Sequence, residues 1–170
     1  ARAIDTLLAP LHARSGARVA EKTPANILHF ARLRRIFPDS PLIGLVRDGR
    51  DVVASLLSMD WTDGQTGQPM AITRDAEAAA RLWCASIDAG RRMRSDAQYF
   101  ELRYEALVGD PAATIDRLFD ALGESDEAKA RALDHARHFD RTAGTAESSA
   151  ERVARPIDRQ AIGRWQTDLD

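Results

Sequence analysis

In the stretch PLIGLVRDGRDVVASLL, residues 41–57, an apolar run stops at Arg47-Asp48-Gly49-Arg50-Asp51 and a second begins at once. Arg47 and Ser55 stand eight residues apart, an arginine fork at the end of one run and a hydroxyl inside the next. With Arg47 closing a buried strand and Ser55 in the first turns of a following helix, both lie where helix N-termini turn free N–H groups outward. A phosphate there takes a charge-assisted bond from each, about 1.5–3 kcal/mol apiece. Asp48 and Asp51 suit a plainer role, capping the helix and tethering arginines. On spacing alone, a solvated, self-paired turn with an ordinary helical serine fits as well.

Positioning these groups requires a chain that passes directly from strand to helix. LIGLVR is continuously apolar after a proline turn, the pattern of a strand buried on both faces of a parallel sheet. Val52, Val53, Leu56 and Leu57 then repeat at helical spacing. Upstream, Ile4, Leu7, Leu8 and Leu11 mark a short amphipathic helix over 3–14, and ARVAEK at 17–22 reads as a strand. Pro24 opens a helix that FPDSP stops. Downstream, MDWTDGQTGQP reads as a mobile loop, 75–94 as the longest helix and 98–103 as a strand. A helix follows with Asp110 as N-cap, Pro111 at its first position and Gly123 as its stop. A further helix is expected over 126–138, a long loop over 140–156, and a short terminal helix anchored by Ile162 and Trp165. Strand–helix alternation predicts an α/β domain with a parallel sheet at 17–22, 41–47 and 98–103, flanked by helices on both faces.

The composition narrows the function. The 170 residues carry a formal charge of −2, which gives no global basic character for a nucleic acid partner. Lys22 and Lys129 are the only lysines, so the basic groups are almost all arginine. Arginine is the better fork for phosphate, but an Ala- and Arg-rich composition equally reflects a GC-rich genome, which accounts for most of these arginines. Cys84 is alone, which rules out an intrachain disulfide and a CxxC metal pair and favours a reducing, cytoplasmic setting. No apolar run reaches membrane-spanning length, and the first residues have no signal-peptide core. His12, His29, His135 and His138 read as surface or packing residues, and no carboxylate or Cys completes a metal set around His135 and His138.

With these segments in order, the sequence resembles the sulfotransferases that take a sulfuryl group from 3′-phosphoadenosine 5′-phosphosulfate (PAPS). Their phosphate-binding strand–loop–helix is matched by Arg47, Arg50, Asp51, Val52 and Ser55, and VRDGR is closest to the tyrosylprotein branch. EKTPANILHFARLRRIFPDSPLIGLVRDGR, LRYEALVGDPAATIDRLFDALG and ERVARPIDRQAIGRW resemble three further family segments. The resemblance implies a three-layer, P-loop NTPase-like sulfotransferase fold, partial here, with PAPS as donor and no metal. It implies that Arg47, Ser55, Arg155 and the loop containing Ser149 hold the 3′-phosphate and that Tyr104 lies beside the adenine. Lys22 falls on the lysine that stabilises charge at the sulfuryl bridge oxygen. The acceptor, a hydroxyl or amine on a small molecule, sugar or peptide, would meet variable loops such as 58–74.

The glycine-containing loop that cradles the 5′-phosphosulfate in that family has no match here, nor has the catalytic base. The expectation is therefore one domain over 1–170, the C-terminal part of a sulfotransferase and inactive by itself. The alternative is a non-catalytic nucleotide-binding or scaffold domain. A phosphotransferase of the P-loop kinase type is disfavoured, because no Walker lysine or Mg²⁺ motif is present.

Overall fold

The computed structural model describes residues 18–138 and 155–169. The helix expected at 3–14, most of the 140–156 loop and Ser149 lie outside the described residues. A 3-10 helix at Pro24–His29 runs into α1 (Phe30–Ile36), and then come β1 (Leu42–Val46), α2 (Gly49–Leu57) and α3 (Ala76–Arg92). After β2 (Tyr99–Arg103) follow α4 (Tyr104–Gly109), α5 (Pro111–Leu122), α6 (Asp126–Leu133), α7 (His135–His138) and α8 (Trp165–Asp168). Among the described residues no helix is long and apolar enough to cross a membrane.

Among the described residues the sheet has two strands, set in a mostly helical structure. β1 and β2 pair in parallel, with Leu42 opposite Tyr99, Gly44 opposite Glu101 and Val46 opposite Arg103. The strand expected at 17–22 does not form over 18–22. Its Glu21 carboxylate instead accepts from Thr23 Oγ1 at 2.5 Å and from Asn26 Nδ2, which fastens it to the start of the 3-10 helix. A strand needs a ladder partner, and among the described residues the sheet ends at β1 and β2.

One face of this sheet builds the core. Leu42 and Tyr99 join Phe30 and Met93 in a buried cluster, with Ile27 and Leu33 packed against it. The Phe30 and Tyr99 rings meet edge to face, centroids 6.1 Å apart, an arrangement worth about 0.5–1.5 kcal/mol beyond burial. Tyr99 fits because two glycines make room for it: Gly44 beneath its ring and Gly90 of α3 near its hydroxyl. The other face differs from the expectation of burial on both sides. Ile43 is 42% exposed and Leu45 53%, because the helices that cover the sheet among the described residues pack on the Leu42 side.

Helix boundaries follow local chemistry. Asp75, Asp110 and Ser125 each accept a backbone N–H from the first turn of α3, α5 and α6. Pro111 occupies the first turn of α5, and Gly123 ends it in the left-handed region at φ 68°. The helix expected over 126–138 breaks at Asp134, which leaves helical geometry at φ −99°, ψ 29°. The polar segment after α2 is hydrogen-bonded into a hairpin, with Thr62 bridged to Pro69. Asp63 Oδ1 there accepts from Gln65 N, Thr66 N and Thr66 Oγ1, and these bonds hold its carboxyl below the usual range.

Arg34 links these parts. It grips Asp96 with two bonds of 2.6 and 3.1 Å and donates to the carbonyls of Pro38 and Ser40, both at 2.7 Å. The turn before β1 is thus fastened to the turn before β2, which sets the register. That same grip lowers the Asp96 carboxyl pKa.

The Tyr99 seat gives a stability prediction. A methyl on Gly44 would collide with the Tyr99 hydroxyl and ring, so Gly44→Ala should cost about 1–3 kcal/mol by overpacking. Gly90→Ala brings a methyl to 2.8 Å from the same hydroxyl but gains about 1 kcal/mol of helix propensity, so its net effect should be smaller. Urea unfolding measures both, and a Gly44→Ala protein as stable as wild type would contradict the seat.

Candidate functional site

The charged turn between β1 and α2 is built from both sides. Asp48 is the N-cap of α2 and accepts from Arg50 N at 2.9 Å. Its carboxylate also takes both forks of Arg50, at 3.1 and 2.7 Å. From below, Trp83 of α3 donates its indole N–H to the Arg47 carbonyl at 3.1 Å. The indole lies flat on Gly49, where an added Cβ would come within 2.9 Å of the ring. From the side, Glu105 of α4 accepts the Asp48 N–H at 2.7 Å. Glycine at 49 is therefore required by the approach of a ring rather than by φ.

Arg47 lies half-buried at the end of β1, its Cζ 5.0 Å from the Tyr104 ring centroid. Its Nη2 donates to the Ala161 carbonyl, and its Nε is buried with no hydrogen-bond partner. Glu105 Oε2 is likewise buried without one; Arg103 Nε at 3.4 Å makes an ion pair of poor hydrogen-bond length. The turn thus holds a leftover donor and a leftover acceptor, each costing about 1–3 kcal/mol while unmet.

Asp51 is 1% exposed. It reaches across the fold to accept from Gly163 N at 2.8 Å and Trp165 N at 3.0 Å. Gly163 has φ 77°, where a side chain is strained. Arg50 then lies over the Trp165 ring, 4.0 Å from its centroid, a cation–π contact at a largely exposed site. The C-terminal segment is thereby bound to the turn through Ala161, Gly163 and Trp165.

The structure brings Arg47 and Tyr104 together, with the ring against the guanidinium. Ser55 is half-buried on α2, two turns below the cap, and its carbonyl accepts from Ser58 Oγ at 2.8 Å. Arg155 is exposed, and its carbonyl meets His135 Nε2 at 3.0 Å. No contact among the described residues joins its side chain to Arg47. Lys22 is exposed in the irregular stretch before the 3-10 helix. Ser149 lies outside the described residues. Among the described residues no cluster of His, Cys, Asp and Glu is placed to hold a metal ion.

Sequence reading assigned Asp51 a capping role and did not single out Trp83, Glu105 or Gly163 for the turn. Asp48 alone caps α2, and Asp51 serves the C-terminal segment instead. The signal that could have found Asp51 is the pair of aspartates in one helix start, where the cap uses only Asp48.

Asp48 gives a pH prediction. Its bonds from the Arg50 side chain lower its pKa from 3.8 to about 2. A depressed carboxylate contributes stability that is fully present above the unfolded pKa and lost as pH falls through the folded one. The α2 cap should thus hold above about pH 4 and weaken toward pH 2. Carboxyl NMR titration of Asp48 should give a midpoint near 2, and an ordinary midpoint near 4 would show the Arg50 grip to be absent in solution.

The turn, Trp83 and the Tyr104–Glu105 pair all fall inside a stretch that known proteins share. The sequence profile described as the sulfotransferase family matches residues 2–128. The proteins named omega-hydroxy-beta-dihydromenaquinone-9 sulfotransferase Stf3 of Mycobacterium bovis and Mycobacterium tuberculosis are each 26% identical over 130 residues. That similarity covers 74% of this chain and 34% of theirs, so the chain spans about a third of the length of these relatives. A profile that matches from residue 2 to 128, with the charged turn inside it, decides the family: the chain belongs to the sulfotransferases.

Proposed function

We propose that this chain carries the 3′-phosphate-binding part of a PAPS site, and that the protein it belongs to transfers a sulfuryl group from PAPS to a hydroxyl acceptor. The observation that carries this reading is Arg47: a half-buried guanidinium braced on Tyr104, with a buried Nε that has no acceptor. A phosphate oxygen suits that leftover donor, and the brace spares the arginine much of the entropy of ordering. Ser55, two turns along α2, would add a hydroxyl. Arg155 and Ser149 complete the shell on the resemblance alone. Tyr104 serves the site by supporting Arg47 and offers its remaining edge to the adenine.

The donor, when bound, supplies the sulfuryl group and a phosphate leaving group. Lys22 would neutralise charge that develops on the leaving oxygen. The relatives are named for an omega-hydroxy-beta-dihydromenaquinone-9, which supports a hydroxyl as the accepting group ahead of an amine. Sugar, phenol and lipid hydroxyls all fit that chemistry.

Two measurements test this. 3′-Phosphoadenosine 5′-phosphate should bind far more tightly than 5′-AMP, and Arg47→Ala should weaken it by about 2–4 kcal/mol through the lost charged contact. Calorimetry with equal affinities for the two nucleotides would overturn the phosphate site. In the complete protein, Lys22→Ala should remove most labelled-PAPS transfer to hydroxyl acceptors, with nucleotide affinity within about threefold of wild type. Nucleotide binding without transfer to any acceptor would favour a binding domain over an enzyme.

A further inference from the structure

We propose that Asp51 is a positioning residue for the anion site, acting through the C-terminal segment rather than by touching the ligand. The inference rests on the PAPS reading for its ligand and on the geometry for its mechanism. Asp51 is buried to 1% exposure in the first turn of α2. Both of its oxygens are used, one by Gly163 N at 2.8 Å and the other by Trp165 N at 3.0 Å. These donors lie 112 and 114 residues away in sequence, so the carboxylate fixes a remote segment and not its own helix.

What it fixes bears on Arg47. Ala161, two residues before Gly163, is 3% exposed and presents its carbonyl to Arg47 Nη2. That bond holds one end of the guanidinium, whose Cζ lies 5.0 Å from the Tyr104 ring centroid. The order of dependence is then Asp51, the 161–165 segment, the Ala161 carbonyl and the orientation of Arg47. On the outer side the same segment sets Trp165 under Arg50. A guanidinium held in one orientation binds a phosphate without first being ordered, and that pre-organisation is lost if the segment loosens. Asparagine at 51 keeps the shape but has one acceptor oxygen for two N–H donors, and turns an NH₂ toward the other.

The test has two readouts on the intact protein. In Asp51→Asn, amide hydrogen exchange at Gly163 and Trp165 should rise about tenfold or more, while Leu42–Val46 stays protected as in wild type. The preference for 3′-phosphoadenosine 5′-phosphate over 5′-AMP should fall by about tenfold or more. Gly163→Ala disturbs the same contact from the other side, through strain at φ 77°, and should move both readouts in the same direction. It also decides the matter if Asp51→Asn unfolds β1 as well. Raised exchange with an unchanged nucleotide preference would overturn the positioning role, and unchanged exchange would overturn the contact itself. A wild-type protein with no preference for the 3′-phosphate would instead overturn the PAPS reading, while the exchange result still decides whether Asp51 holds the segment.

Discussion

A carboxylate taken out of water in the first turn of a helix must be met by donors, and the cost of failing to do so is several kcal/mol. Asp51 is in that position, and the donors are two backbone N–H groups from the far end of the chain. Much of the site depends on this one demand. It brings Ala161 against Arg47 and Trp165 under Arg50, and it makes glycine the residue suited to position 163. The helix start could not have used Asp51 as its cap, because Asp48 already holds that place.

The turn itself is a junction of three elements. α3 supplies Trp83, which holds the Arg47 carbonyl and lies against Gly49. α4 supplies Tyr104 and Glu105, one facing the Arg47 guanidinium and the other the Asp48 N–H. β2 and α4 are consecutive, so the parallel pairing of β1 with β2 is what delivers Tyr104 and Glu105 beside Arg47. Their adjacency follows from strand register, which Arg34 sets through Asp96 and the carbonyls of Pro38 and Ser40.

Several of the described arginines do something more modest. Arg81 with Glu77, Arg91 with Asp88 and Arg137 with Asp134 are exposed neighbours on the surface, and such pairs contribute at most a few tenths of a kcal/mol each. Arg34 and Arg47 differ in being partly withdrawn from water and in bonding to backbone carbonyls. The arginine-rich composition is thus mainly surface, with a few members recruited to joints. Lys129 shows the same contrast: it is drawn between Asp116, Asp120 and Asp126, which clamps α6 to α5 and raises its pKa.

By itself the sequence determined the local events. Apolar periodicity located β1, α2, α3 and β2, and cap chemistry located both ends of α5, because these depend on residues within a few positions of one another. The charged turn, its Arg–Ser spacing and the family were legible for the same reason, since a motif is a local object. The strand expected at 17–22 failed because pairing needs a partner that local pattern cannot supply. Burial of both faces of β1 was misjudged because Ile43 and Leu45 look alike whether covered or not. What surrounds Arg47 was decided only by tertiary structure. Trp83, Glu105, Ala161 and Gly163 reach the turn from 36 to 114 residues away, and contact at that separation is set by how helices pack on the sheet, not by the residues on either side.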